Sequence, residues 1–367
     1  MLKLAYFSPL PPERTGIARY SWEFLPFLAK SAEITLFHPA PQTITDAPYP
    51  IQHIDDYSPN RWEYDLPIYH MGNSRFHRDI YEMLKQHPGV VVLHDVVLHH
   101  FMAMEQYGRE LGYAVDVPLG MDIRIRQDER DLNRFDLNRR VLDLALGVIV
   151  HSQYAADRIA QSHPELPVAL VPMPILAVAQ RETPAEHPLT FGCLGEVTPA
   201  KQIDLALRVF GRFHAQHPES RFHVVGDSAE FDLTPVLHSL PPATRANVYL
   251  HGYAATQAAF EAQIDALDVV INLRYPTVGE TSAAALRALA HGKPVIVFDH
   301  GTYQALPDSV AIKVPPMDQP ALLAAMQQAA DGLPAYRNAA RTFIETHHRP
   351  QKSAELYLTF LQQLFDS

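Results

Sequence analysis

LAYFSPLPPERTGIARY, from Leu4 to Tyr20, and TFGCLGEVTPAKQIDLAL, from Thr190 to Leu207, open in the same way. Each passes from an apolar strand through a proline-containing loop into an amphipathic helix. Around both, short apolar runs alternate with longer segments of helical period, the signature of a mostly parallel sheet covered by helices on both faces. In open parallel sheets ligands bind beyond the carboxyl ends of strands, so these two loops are the first places to look for a site.

The first series predicts strands at Leu2–Ser8, Glu33–Phe37, Leu66–His70, Val90–Leu93, Gly147–Val150 and Val168–Val171. Helices are expected at Ile17–Leu28, Asp79–Lys85 and Gln153–Gln161. PMPILAVAQRETPAEHP, starting at Pro172, is proline-rich without steady periodicity and reads as a linker. The second series predicts strands at Leu189–Leu194, Phe222–Val225, Val248–His251, Val269–Asn272, Val295–Phe298 and Ala311–Val314. Its helices are expected at Gln202–His214, Gln257–Ala266, Ser282–Ala290 and Ala321–Ala330. A last helix, Ser353–Phe365, has no strand after it and is expected to cross back onto the first domain.

At 367 residues the chain suits two domains of roughly 100 to 200 residues. With 47% hydrophobic and 19% charged residues it reads as an ordinary globular protein. No apolar run approaches the roughly 20 residues a transmembrane helix needs, and MLKLAYFSPLPP turns to proline too soon for a signal peptide, so a cytoplasmic location is expected. The single cysteine, Cys193, excludes an internal disulfide and a cysteine zinc cage and reads as a buried apolar residue. The histidines show no metal-ligand spacing and no Asp-x-Asp pair is present, so no metal is expected.

A formal charge of -11 argues against nucleic acid as the main partner, because phosphate-backbone binding needs clustered Lys and Arg. Arg124, Arg126, Arg130, Arg134, Arg139 and Arg140 form a local exception, interleaved with Asp122, Asp128, Glu129, Asp131 and Asp136. The stretch reads either as a salt-bridged, solvated helix or as a face for an anionic acceptor or lipid headgroup, which leaves peripheral membrane contact open.

NLRYPTVGETSAAALRALAHGKPVIVFDHG, from Asn272 to Gly301, is the richest segment. A buried strand ends near Leu273, Gly279 permits an unusual turn, and a helix of Ala and Leu starts near Thr281 or Ser282. Unpaired amides at such a start suit a phosphate, and either hydroxyl also reads simply as an N-cap. Glu280 puts a carboxylate at the mouth of this turn, and Arg274 sits on the same loop.

This segment resembles the donor-binding motif of glycosyltransferase family 4, and ALAHGKPVIV, from Ala288 to Val297, matches its second half closely. The resemblance implies an α/β, GT-B fold: two Rossmann-like domains facing across a cleft. It implies an acceptor domain at 1–174, with helix 350–367 packing back on it, and a donor domain at 175–349. The family has two glutamates seven residues apart. Here Glu280 takes the sugar-contacting role, and the second position holds Arg287 or Ala288. The family's Gly-Arg-loop-Lys grip on the diphosphate becomes Gly195, Glu196 and Lys201, with Arg274 as candidate for the missing cation. FHVVGD and VYLHGY resemble strands whose loops frame the base and nominate Gly226, Asp227 and Tyr253. In the first half, Gly16 matches the glycine loop under the donor phosphates. His94 corresponds to a histidine near sugar and acceptor, with Asp95 expected to orient it, and His77 lies at a neighbouring strand end.

The implied activity is retaining transfer of a sugar from a nucleoside-diphosphate sugar to a sugar, glycolipid or other hydroxyl acceptor. No cofactor and no metal are expected, and the setting by analogy is polysaccharide or glycolipid assembly, at the inner face of the membrane where the acceptor is lipid-linked. Rival readings are a non-hydrolysing sugar-nucleotide epimerase, a binding module without catalysis and, with no G-x-G-x-x-G fingerprint to support it, a dinucleotide oxidoreductase. Oligomeric state is not legible.

Overall fold

The computed structural model describes residues 1–105, 109–110, 112–113, 135–178, 187–229, 231–254 and 256–367. Arg124, Arg126, Arg130 and Arg134, with the acidic residues between them, lie outside the described residues, as does 179–186 of the linker. Where the arginine-rich stretch re-enters the described residues, Asp136 pairs with Arg158, and Arg140 with the buried Glu110 at 2.8 Å.

The first sheet comprises β1 (Leu2–Phe7), β2 (Ala32–His38), β3 (Ile51–His53), β4 (Leu66–Met71), β5 (Gly89–Leu93), β6 (Ala145–Val150) and β7 (Val168–Leu170). Its order is β3-β2-β1-β4-β5-β6-β7, with every neighbour parallel. The second comprises β8 (Thr190–Leu194), β9 (Arg221–Val225), β10 (Val248–Gly252), β11 (Val269–Ile271), β12 (Val295–Phe298) and β13 (Ala311–Val314). Its order is β10-β9-β8-β11-β12-β13, again all parallel. β4, β5, β8, β11 and β12 are buried along their whole length, which is why they read as continuous apolar runs rather than alternating ones. Two Rossmann-like domains of this kind are the GT-B architecture expected from the sequence.

Among the departures from expectation are one strand and one helix. β3 was not anticipated, because IQH is three residues long at a sheet edge and carries one apolar side chain. The helix expected to stop at Ala330 runs from Gln319 to His347, through Gly332 and Pro334. Leu322, Ala325, Met326 and Ala329 before the breakers and Ala340 and Ile344 after them are all buried, so packing overrides the local helix penalty.

The chain divides into two compact units. Unit 1 is Met1–Pro174, Val278–Thr281 and His348–Ser367; unit 2 is Ile175–Thr277 and Ser282–His347. The helix Pro350–Asp366 is part of unit 1. Ser353 donates to the Pro172 carbonyl at 2.7 Å, and Tyr357 stacks edge-on to Phe24. Gly147 of β6 lets this helix lie close, because a Cβ there would stand 2.7 Å from Leu364 Cδ1 and 2.8 Å from Phe360 Cζ and both side chains would have to shift. Cys193 is buried in β8, where desolvation pushes its thiol up to about 12.

In unit 2 the start of the sheet hangs on Asp268. Its carboxylate is 1% exposed and accepts from the Thr190 amide at 2.9 Å, from His187 Nε2 at 2.9 Å and from Arg337. Asp268→Ala strips a buried amide, an imidazole and a guanidinium of their acceptor and is expected to cost about 2 to 4 kcal/mol, read by urea unfolding. Asp308→Ala, at a surface carboxylate 87% exposed, serves as the control and should leave the midpoint within about 0.5 kcal/mol.

Candidate functional site

In unit 2 the strand order reverses at β8. β9 and β10 extend to one side and β11, β12 and β13 to the other, so the switch point lies beyond the carboxyl ends of β8 and β11. The loop after β8 is built on glycine. Gly195 adopts φ +82 and its amide donates to the Val225 carbonyl at 2.7 Å, while the Val197 amide donates to the Asp227 carbonyl at 2.7 Å. A Cβ on Gly226 would stand 2.0 Å from the Gly195 carbonyl oxygen, a backbone atom that cannot swing away. Gly226 also bridges to Gly252, so the loops after β8, β9 and β10 are joined through backbone.

Lys201 ends the short turn Pro199–Lys201, and its Nζ donates to the Leu194 carbonyl at 2.9 Å. The ammonium is thereby fixed over the carboxyl end of β8, near enough to Gly195 that a Cβ there would meet it at 2.8 Å. Gln202, which follows, is in the left-handed region at φ 51. Its side-chain Nε2 donates to the Pro199 carbonyl at 3.0 Å and to the Tyr275 carbonyl at 3.1 Å, and the Tyr275 backbone amide donates to the Ala200 carbonyl at 2.8 Å. These bonds cross-link the loops after β8 and β11 at the switch point. Sequence reasoning missed Gln202, since nothing in a Lys-Gln pair announces a left-handed glutamine. Asp227 is exposed and holds the Ala229 amide at 3.0 Å, and Tyr253 is 51% exposed. Arg274 is half-buried, directly after the buried Leu273.

The helix Ala283–Ala290 follows β11, and Ser282, not Thr281, is its N-cap. The Ser282 hydroxyl accepts from the Ala285 amide at 3.2 Å and from Asn272 Nδ2 at 3.1 Å, and Asn272 also donates to Tyr303 at 2.7 Å. With both acceptor positions used, Ser282 reads first as a structural cap. Among the described residues the amides of Ala283 and Ala284 have no acceptor, as is usual in the first turn of a helix, and such amides suit an anion. Thr281 is half-buried, and its hydroxyl makes no hydrogen bond to the described residues.

Val278–Thr281 belongs to unit 1, where the Val278 carbonyl accepts from the Val97 amide at 3.0 Å. Gly279 takes φ +75, and a Cβ there would strike Val96 at 2.2 Å, so glycine is required by both conformation and space. The Glu280 carboxylate accepts from the Val278 amide at 3.0 Å, which tightens the turn on which it is carried.

Unit 1 has its own switch point between β1 and β4. Thr15 caps the helix Gly16–Leu28 by accepting from the Ile17 amide, and the space where a Gly16 Cβ would point is open for 4 Å. Gly72, after β4, threads between Ile17 and Asp95, with a Cβ there 2.6 Å from Ile17 and 3.1 Å from the Asp95 carboxylate. Asn73 ties the neighbouring loops: its amide donates to Asp95 at 2.8 Å, its Nδ2 to the Val97 carbonyl at 2.6 Å, and its Oδ1 accepts from the Phe101 amide at 3.2 Å.

His94 is buried, and its side-chain partner is His70, not Asp95: His94 Nε2 and His70 Nδ1 are 3.0 Å apart. Asp95 instead holds the Asn73 amide. The His94 ring stands 4.8 Å from Tyr20, 5.3 Å from His70 and 5.2 Å from His151. His77 is buried beside them and bonds the His70 carbonyl at 2.9 Å. Desolvation drives all four imidazoles toward the neutral form, with His77 and His151 lowered to about 4. Among the described residues no group of three or more His, Cys, Asp or Glu side chains is placed to hold a metal ion.

Residues 188–331 match the family model described as Glycosyl transferases group 1. No curated protein matches the chain. Among solved structures the chain is similar to sucrose-phosphate synthase from Thermosynechococcus elongatus, at TM-score 0.69 and 16% identity, with 100% of each chain covered. It is similar to HepE of Anabaena in complex with UDP and glucose, at TM-score 0.68 and 14% identity, covering 99% of this chain and 100% of that one. A third is WaaG, a glycosyltransferase involved in lipopolysaccharide biosynthesis, at TM-score 0.65 and 14% identity, covering 96% and 99%. At these identities the likeness is one of fold.

Two outcomes are expected from this geometry. Gly226→Ala must push the loop after β8 off the sheet and should lower stability by about 1 to 3 kcal/mol by urea unfolding. For the histidines, the unfolded chain takes up protons below the usual 6.5, while His77 and His151 resist protonation until about 4. Their contribution is therefore complete above pH 6.5 and is lost as pH falls toward 4. Urea midpoints measured across that window should fall with pH, and His151→Asn should flatten the fall.

Proposed function

We propose that this chain is a retaining glycosyltransferase that moves a sugar from a nucleoside-diphosphate sugar to a hydroxyl acceptor. One observation carries the reading: the Lys201 ammonium is pinned over the end of β8, at a switch point whose other wall leads to the open amides of Ala283 and Ala284. A diphosphate is the chemical group that such a cation and such amides suit. The family match over residues 188–331 and the fold likeness to sugar-transferring enzymes support it.

In this mechanism Lys201, Arg274 and the amides stabilise the departing diphosphate, so the anomeric carbon opens without a protein nucleophile. The acceptor hydroxyl attacks from the face the leaving group vacates, and positioning with leaving-group electrostatics supplies most of the barrier reduction. Glu280 holds sugar hydroxyls, Gly195, Gly226, Asp227 and Tyr253 frame the nucleotide, and Gly16 and His94 take the phosphate-loop and acceptor-side roles that the family resemblance gives them. Thr281 adds a hydroxyl at the helix start. The reaction as proposed needs no metal, and a glycolipid acceptor would bring the protein to the inner face of the membrane. No helix among the described residues is long and apolar enough to cross one.

A second reading rests on a specific feature: Glu196 stands where an arginine would grip the diphosphate, which fits binding without transfer. Thermal-shift titration with UDP, GDP, dTDP, ADP and NAD, with and without magnesium, tests the site, and UDP is the first choice because HepE holds it. A shift with one nucleoside diphosphate that is independent of magnesium and lost in Lys201→Ala is expected; a shift with NAD alone would overturn the reading. With the matching donor and an acceptor, Lys201→Ala should lower turnover about 30- to 1,000-fold, or about 2 to 4 kcal/mol. Donor consumed without an acceptor would identify an epimerase instead.

A further inference from the structure

We infer that His70 is a positioning residue that locks His94 in the Nδ1–H form, so that His94 offers its ligand a hydrogen-bond donor and not a base. This rests on the reading above that His94 faces the sugar or the acceptor.

The hydrogen bonds of the buried cluster fix where its protons sit. His151 Nδ1 lies 2.8 Å from the Val171 carbonyl, and His77 Nδ1 lies 2.9 Å from the His70 carbonyl. A carbonyl only accepts, so both rings carry their proton on Nδ1. In a neutral ring Nε2 is then bare, and in both residues it is buried with no partner among the described residues. The same is true of His70 Nε2.

The bond between His70 Nδ1 and His94 Nε2 has two arrangements. If His94 donates, the one proton of neutral His70 must sit on Nε2, as a buried N–H with no acceptor. If His70 donates, its Nε2 is a bare acceptor like those of His77 and His151. Orphaned buried donors are the rarer and costlier case, so His70 donates. His94 Nε2 is then the acceptor, and its proton is on Nδ1.

That nitrogen has a different situation from the others. Among the described residues His94 Nδ1 has no hydrogen-bond partner, yet it is not among the fully buried polar atoms, and His94 is 8% exposed where His70 and His77 are at 0%. The proton therefore sits on the nitrogen that reaches solvent beyond the end of β5. A donor there recognises an oxygen lone pair, as on a sugar or acceptor hydroxyl or a glycosidic oxygen. It cannot remove a proton from the attacking hydroxyl; in the proposed transfer that proton goes to the departing diphosphate.

Two-bond proton-nitrogen correlation spectra of protein labelled with 15N-histidine read the tautomer directly, with His94 assigned from the spectrum of His94→Gln. The expected pattern is neutral, Nδ1-protonated His94; an Nε2-protonated or doubly protonated ring overturns the inference. Its kinetic arm compares His70→Leu with His70→Asn, whose amide N–H stands where Nδ1–H stood. His70→Leu should mix the His94 tautomers and lower kcat about 10- to 100-fold, and His70→Asn should restore both. Unchanged kcat in a folded His70→Leu refutes the positioning role. The spectra need no substrate, so a correct tautomer with no nucleotide bound would sink the transferase reading alone. An active transferase with the other tautomer would sink this inference alone.

Discussion

Unit 2 depends on a place where two backbones touch. The Gly226 α-carbon lies so close to the Gly195 carbonyl that no side chain fits between them. That contact sets the height of the loop after β8, and the loop sets where Lys201 can reach. Because Lys201 then bonds to the end of its own strand, its charge is held by the same few residues that shape the turn. The bonds of Gln202 and Ala200 to Tyr275 carry the constraint across to the loop after β11. A flexible lysine on a mobile loop would lose much rotamer freedom on meeting an anion; this one has already lost it on folding.

Much of this was legible in the sequence, and the reasons are local. A parallel strand buried on both faces must be an unbroken apolar run, so β5, β8 and β12 announce themselves within a residue or two. The loops that carry the candidate residues follow such strands and were legible with them, including the glycines that the turns require. What escaped has a physical reason in each case. β3 is too short and too polar to leave a pattern. The helix Gln319–His347 contradicts its own breakers because the core pays for continuity. Gln202 was hidden because its left-handed backbone is stabilised by contacts with residues some 70 positions away.

The histidines show the same limit from the other side. His70, His77 and His151 look in sequence like polar residues at strand ends, where solvent is the natural guess. In the fold they are interior, with His70 beside Tyr6 and Tyr20, His151 beside Tyr20 and His77 beside Phe101, and kept neutral. Spacing along a strand assigns a face; it does not say which ring will hydrogen-bond to which. His94 was legible as a candidate through its place after β5, whereas its partner became visible only when β4 and β5 were paired.

The helix Pro350–Asp366 covers β6 of unit 1, yet all of unit 2 is synthesised before it. On the ribosome, residues 1–174 therefore emerge as a sheet whose Gly147 surface has nothing to lie against until Phe360 and Leu364 arrive. Unit 2 meets no such delay, apart from the few residues it lends at Val278–Thr281. The order of synthesis and the order of completion are thus opposed: the domain that is begun first is finished last.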